Sequence, residues 1–326
     1  MNPSESLLPT KSTPSSAQSE VQTNIAVCIP TYKRPEGLRR LLAALATQEP
    51  LQGCQITIVV VDNETSPQSK AICDEFASKL KYPLRYCCEP RRGLSHVRNK
   101  CVEMASEFAD ALVFIDDDEV PSPEWLKHLA ACQKVYGADA VSGPVIPRFM
   151  KEAPQWISAG GFFERPRYAT GTVLPLARTG NVLIRMEVFH RIGLFDDRFD
   201  LTGGEDWDFF KRLYESGGRI VWADEAIVDE WVPASRTTLK YVLQRAYRTG
   251  TIIAFRAARS QSPVQTLISV ARGVLGAMKR TCLLLASLTR GTPEVVKALQ
   301  NVCCCAGLVA GASPMRYEQY RTVHSV

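Results

Sequence analysis

Four apolar residues running straight into four acids, Leu112-Val113-Phe114-Ile115-Asp116-Asp117-Asp118-Glu119, constrain the fold of this chain more than any other stretch. The apolar half has the length and composition of a buried strand, so the acids fall at the strand's end. Clustered carboxylates repel one another and need solvent or a cation beside them. Oxygen-only ligands suit a hard divalent ion, Mg²⁺ or Mn²⁺, which keeps positions open for phosphate. In an α/β sheet, the carboxyl ends of the strands are where a nucleotide binds. The competing account is a solvated acidic turn before a helix starting near Pro123, and the rest of the chain has to decide between them.

That rest supplies a sheet. Asn24–Pro30 reads as a short strand, and Arg34-Pro35-Glu36 opens a helix with Leu38, Leu41, Leu42 and Leu45 on its apolar face. Strands at 55–62, 84–88 and 111–116 alternate with helices at 67–80 and 93–107. The alternation predicts an α/β fold, a mostly parallel sheet flanked by helices. Right-handed crossovers bring the strands' carboxyl ends to one side. Three of those ends are polar: Pro30-Thr31-Tyr32, Asp62-Asn63 and Asp116-Asp117-Asp118. Their convergence on one crevice is a stronger argument than any single motif. Residues 147–178, with their Pro, Gly and aromatics, read as a long functional loop. A strand at 179–185, a helix at 205–217 and a strand at 219–223 follow. The predicted division is a disordered leader over 1–23, rich in Ser, Pro, Thr and Gln, a catalytic domain over 24–235, and a basic helical region over 236–326.

Composition narrows the function classes. A net charge of +5 over 326 residues suits an anionic ligand or a membrane surface and gives no reason to invoke nucleic acid. Eleven cysteines sit mostly in apolar runs, and the four histidines show no paired zinc spacing with them. Reduced core thiols in a cytoplasmic protein are expected. No GxxxxGK[ST] and no GxGxxG follows the first strand. Phosphate must then be held by a metal and by basic side chains, for which Arg91, Arg92, Arg98, Arg245 and Arg248 are candidates.

Three further positions carry chemistry. Asp62 can accept the N3–H of uracil or the N1–H of guanine, or it can cap a helix. Gly203-Gly204 permit close backbone approach to a ligand. Glu205 and Asp206 follow in a helix's first turn, where acids complement the dipole. Glu205 suits that capping role and is also a ligand-binding candidate. Asp206, beside Trp207, suits a general base for an acceptor hydroxyl. Gly180-Asn181 reads either as an ordinary turn or as part of a sugar pocket.

Taken together these segments resemble the family-2 inverting glycosyltransferases with the GT-A (Rossmann-like) fold. The matching runs are Ile29–Pro35, Val60–Asn63, Gly93–Asn99, Phe114–Glu119, Thr179–Asn181 and Gly203–Asp208, in the family's order over about residues 24–235. Val221–Ala226, Glu230–Pro233 and the Arg245–Gly250 segment are similar to the bacterial succinoglycan-type β-1,4-glucosyltransferases. The resemblance implies that Asp62 binds uracil, Asp116 faces the ribose or sugar, Asp118 binds the metal, and Asp206 deprotonates the acceptor. It implies that Arg98 helps order the acidic turn. Glu230 stands where many relatives carry a metal-binding His. The implied reaction moves a hexose from a UDP-sugar, with inversion, to a lipid-linked oligosaccharide or polysaccharide acceptor in cell-surface or exopolysaccharide biosynthesis.

The C-terminal region bears on that acceptor. Arg272, Lys279, Arg290 and Lys297 share one helical face, with apolar residues opposite. The longest apolar runs, Cys282–Thr289 and Val302–Ala312, are too short to span a bilayer. Peripheral attachment to the inner face of the cytoplasmic membrane is one reading; a helix packed on the catalytic domain is the other. Two other function classes compete with transfer. A metal-dependent nucleotidyltransferase would show a Gly/Arg/Lys-rich loop after the first strand, which is absent, and the intact acids argue against a non-catalytic sugar-nucleotide-binding scaffold.

Overall fold

The computed structural model describes residues 23–64, 67–200, 203–260 and 291–311, with a few positions between 268 and 279. Most of the expected leader, Thr202, Arg272, Arg290 and the run Cys282–Thr289 lie outside the described residues.

Strands β1 (Thr23–Thr31), β2 (Cys54–Asp62), β3 (Leu84–Cys88) and β4 (Ala111–Ile115) alternate with α1 (Pro35–Ala46), α2 (Pro67–Ala77) and α3 (Leu94–Ala105). The four strands pair in parallel, in the order β3-β2-β1-β4. Their near-continuous apolar sequence is what a sheet covered on both faces needs. Within β4, Val113 and Ile115 pack with Leu38, Leu41 and Leu129 on one face. Leu112 and Phe114 pack with Val97, Phe189 and Phe209 on the other.

The sheet then continues through a second half. The order runs on as β9 (Asn181–Arg185), β6 (Ala140–Ser142), β10 (Ile220–Trp222) and β8 (Val173–Leu174). Strand β9 is antiparallel to both neighbours, and β10 is parallel to β6. The expected 147–178 loop is partly structured: it holds the end of β7 (Val145–Phe149), the short helix α5 (Gln155–Gly160) and β8. These pieces are too short for a periodic pattern to reveal.

A small three-stranded sheet, β5 (Glu119–Pro121), β11 (Val228–Val232) and β7 in that order, decides the site's geometry. Strand β5 leaves the acidic turn directly and pairs with β11, placing Glu230 opposite Glu119. The Trp231 N–H donates to the Asp118 carbonyl at 2.8 Å. Residues more than a hundred positions apart are thereby brought side by side.

Helix α4 (Trp125–Tyr136) covers the first face, and α6 (Met186–Ile192) and α7 (Glu205–Glu215) cover the second. Helices α8 (Leu239–Ser260) and α9 (Thr292–Gly311) follow. They touch backbone to backbone: a Cβ on Gly307 would lie 2.0 Å from the Tyr247 carbonyl oxygen, and one on Gly250 would lie 1.9 Å from that of Cys304. Val242 of α8 and Val296 of α9 join Ile157, Phe163 and Val232 in a third apolar cluster. Helix α9 has 20 residues, and an 18-residue stretch of it has a mean hydropathy of 1.2, which is by length and composition enough to cross a membrane. The apolar run alone was too short because the helix also takes in Thr292, Glu294, Lys297, Gln300 and Asn301. The described cysteines are all free thiols.

Candidate active site

The polar strand ends open into one cavity of about 1220 Å³. That exceeds the roughly 300–1,000 Å³ of a pocket for one small ligand, so there is room for two substrates. The wall includes Pro30, Thr31, Tyr32, Asn63, Asp116, Asp117 and Asp118. Asp206 and Trp207 from α7, and Arg245, Arg248 and Arg256 from α8, complete it. The helical region after residue 235 is therefore part of the site.

The acidic turn is held by named partners. Asp117 accepts from the Thr31 hydroxyl at 2.9 Å and from Arg34 Nη1 at 2.8 Å. The same Arg34 nitrogen reaches Asp118 Oδ2 at 3.0 Å. Lys33, just before it, has φ of 55°, a left-handed backbone that is uncommon for a side-chain-bearing residue. Backbone strain of this kind persists where surrounding contacts hold it; here Lys33 pairs with Glu64 at 3.2 Å.

Asp116 lines the floor, with 39% of its side chain open to the cavity. Desolvation by the surrounding protein pushes its carboxyl up to about 6; Arg98 opposes the shift, and Asp118 and Asp117 add to it. Glu119 is buried, and burial raises its carboxyl well above the usual range, with Asp116 adding to the effect. Its Oε2 accepts from the Asp116 N–H at 3.0 Å. A Cβ on Gly180 would lie 2.5 Å from its Oε1, so residue 180 has to be small.

Several residues singled out from sequence also have structural tasks, Asn181 and Glu205 among them while lining the cavity. The Asp62 carboxylate is buried and is not in the cavity wall. It accepts from the Glu64 N–H at 3.0 Å and the Tyr86 hydroxyl at 3.4 Å. The neighbouring Asn63 lines the cavity instead. Asn181 is knitted into the fold: its amide accepts from Trp125 Nε1 at 2.8 Å and donates to the carbonyls of Pro144 and Ala226 at 3.0 and 2.7 Å. Glu205 is tied to Arg98 in a buried ion pair, their side chains 5% and 3% exposed. Arg98 also lies 3.7 Å from Asp116. It thus links α3, the acidic turn and the start of α7.

Asp206 sits one residue further along α7, half-buried at the cavity wall. Its Oδ1 accepts from the Trp207 N–H at 2.6 Å. Gly203 and Gly204 before it have φ of 77° and 104°, which favour glycine. A Cβ on Gly204 would also lie 2.7 Å from Arg256 Nη2. The Arg256 guanidinium stands 4.2 Å from the centre of the Trp207 ring. Arg178 and Arg256 both feel the negative charge of Asp206. Arg245 stands 5.6 Å from the ring centre of Phe163, and burial lowers its pKa.

Five cavity arginines escaped sequence reading as site residues: Arg34, Arg165, Arg178, Arg236 and Arg256. Arg165 pairs with Glu230. Arg236 Nη1 lies 3.1 Å from Asp118 Oδ2 and 3.4 Å from Glu230 Oε1. Arg34 stood in a helix-opening pattern that explained it already. Arg165 and Arg236 depend on the small sheet's register, for which no local periodicity exists.

Comparisons agree with this architecture. The family model "Glycosyl transferase family 2" matches residues 26–193, and "Glycosyl transferase family group 2" matches 111–311. The chain is 34% identical over 235 residues to the succinoglycan biosynthesis protein ExoM of Rhizobium meliloti (strain 1021), covering 70% of this chain and 72% of that protein. Among solved structures, the mannosyltransferase PcManGT of Pyrobaculum calidifontis, in complex with GDP-Man and Mn²⁺, superposes with a TM-score of 0.60 at 17% identity, covering 88% of this chain and 86% of that one. TarS 1-349 of S. aureus, in complex with UDP-GlcNAc, gives 0.53 at 18% identity, covering 86% and 90%. At such identities the structures speak for the GT-A fold, while the family model and the 34% relative establish membership: the chain belongs to glycosyltransferase family 2.

Proposed function

We propose that this transferase moves a hexose from a UDP-sugar, with inversion, to a hydroxyl of a lipid-linked or polysaccharide acceptor in exopolysaccharide synthesis. The observation that carries the reading is the convergence, in one cavity, of the acidic turn after β4, Asp206 at the start of α7 and the arginines of α8. A UDP-sugar is bound by one of the structural neighbours, and the bacterial relative serves succinoglycan biosynthesis.

A divalent cation fits the residues present. Asp118 and Glu230 offer only oxygen, and both converge on one cationic nitrogen of Arg236. A single positive centre can therefore span them. Among the described residues no cluster of three or more acidic, His or Cys ligands assembles. Two carboxylates with the remaining positions left to phosphate and water is the usual arrangement for Mg²⁺ at a nucleotide. When bound, such an ion supplies charge stabilisation to the departing diphosphate.

The chain's own residues then divide the chemistry. Asp206 accepts the proton of the acceptor hydroxyl. The hydroxyl oxygen attacks the anomeric carbon on the face opposite the diphosphate. The bond from that carbon to phosphate breaks, and UDP leaves with the electron pair. An α-linked donor gives a β-linked product. The cavity arginines hold the charge that develops on the diphosphate. Arg98 and Glu205 keep the base and the acidic turn in register.

The test is release of free nucleotide from a panel of UDP- and GDP-sugars by the purified chain with Mn²⁺ or Mg²⁺, with and without a lipid-linked oligosaccharide pool. Metal-dependent UDP release from one donor, accelerated by acceptor, is expected. Release of GDP alone would overturn the donor assignment, and pyrophosphate as product would overturn the reaction class.

A further inference from the structure

Asp118 and Glu230 are held together by a guanidinium, and that arrangement bears on how a cation enters. This inference rests on the reading that the two acids hold the metal. We propose that Arg236 is a built-in placeholder cation, which bridges Asp118 and Glu230 and gives them up when the metal arrives.

The geometry distinguishes Arg236 from its neighbours. Arg34 also touches Asp118, but it is anchored on Asp117 at 2.8 Å, outside the proposed ligand pair. Arg165 touches Glu230 alone of that pair. Arg236 uses one nitrogen to reach both acids, at 3.1 and 3.4 Å. Its side chain is 11% exposed and those of the acids are 8% and 15%, so their charges interact with little solvent screening. Its Nε is buried without a hydrogen-bond partner, so the guanidinium is incompletely satisfied where it sits. It belongs to a single 3₁₀ turn, Ala234–Arg236, joining β11 to α8, rather than to the middle of a strand or long helix.

Two acids brought this close in a part-buried wall repel each other unless a positive charge stands between them. Arg34 and Arg165 each compensate one of the two acids, and Arg236 supplies the charge that stands between them. It also competes with the metal for the same two oxygens. The free protein should therefore hold a divalent ion weakly. Tight binding should come only with a donor whose diphosphate adds ligands of its own.

The test uses the full chain and Mn²⁺ as the probe, with free Mn²⁺ read from its electron paramagnetic resonance signal. Without nucleotide, Arg236→Gln is expected to bind Mn²⁺ about tenfold more tightly than wild type, because a charge-assisted pair no longer has to be broken. Arg236→Lys keeps the charge on one nitrogen and is expected to gain about threefold; it serves if the Gln variant does not fold. Unchanged or weaker Mn²⁺ binding in the folded variants overturns the proposal. A control separates this from the underlying reading: with UDP present, wild type should hold Mn²⁺ and Asp118→Asn should lose it. Failure of that control removes the metal assignment and the placeholder role together. A control that holds, with no gain at position 236, removes the placeholder role alone.

Discussion

Asp206 and Asp116 carry the chemistry that single substitutions can isolate. Asp206 is half-buried at the cavity wall, where it accepts from the adjacent Trp207 N–H. Asp206→Asn keeps the shape and removes the base, so transfer should fall by about 10²–10⁴-fold, the usual weight of general-base catalysis. UDP affinity, measured by calorimetry, should stay as it is; unchanged transfer would assign the base elsewhere. Asp116 makes a pH prediction. Its carboxyl is pushed up to about 6, so below that pH it is protonated and neutral, and above it the carboxylate is present. If Asp116 contacts the donor as an acceptor of hydroxyl hydrogens, kcat/KM for the donor should climb as pH rises through about 6. The acid limb should disappear in Asp116→Asn. A limb that persists there belongs to another group.

At the scale of elements, the strength of the site lies in joints between pieces far apart in sequence. Arg98 bridges α3 to α7 through Glu205, and both side chains are almost fully buried. Removing one member of such a pair leaves the other charge buried and uncompensated, at a cost of about 3–5 kcal/mol. Arg98→Gln should lose stability on that scale in urea unfolding. A loss below about 1 kcal/mol would mean that the pair is screened as a surface one is. Sequence reading found the elements well because their causes are local. Leu38, Leu41, Leu42 and Leu45 repeat at helical spacing, and Val113 and Ile115 alternate with Leu112 and Phe114 across the sheet. The polar ends of β1 and β4 reached the cavity for the same reason. The joints were not legible. Which way Asp62 turns depends on Tyr86 and the Glu64 backbone. Asn181 does line the cavity, but nothing nearby in sequence shows that Trp125, Pro144 and Ala226 take up its amide. Arg236 becomes a site residue only through the pairing of β11 with β5 and β7.

For the whole molecule, α8 and α9 bear on where the acceptor comes from. One face of α8 lines the cavity, and its small residues take α9 into backbone contact. The helix that could meet a membrane is thus packed on the helix that lines the cavity. Val309, 39% exposed, and the exposed Ala306 lie on α9 close to Gly307, which faces α8. We propose that this apolar surface meets the membrane and holds the cavity near a lipid-borne acceptor. Val309→Glu should then lower sedimentation with anionic phospholipid vesicles by about tenfold, since a carboxylate is costly in apolar lipid. Val309 is outside the cavity wall, so acceptor-independent UDP release should not change. Transfer to a lipid-linked acceptor in vesicles should fall with the bound fraction, while transfer to a soluble glycan should not. Equal sedimentation of both proteins at low and high salt would instead make α9 a packing helix, with no part in delivering the acceptor.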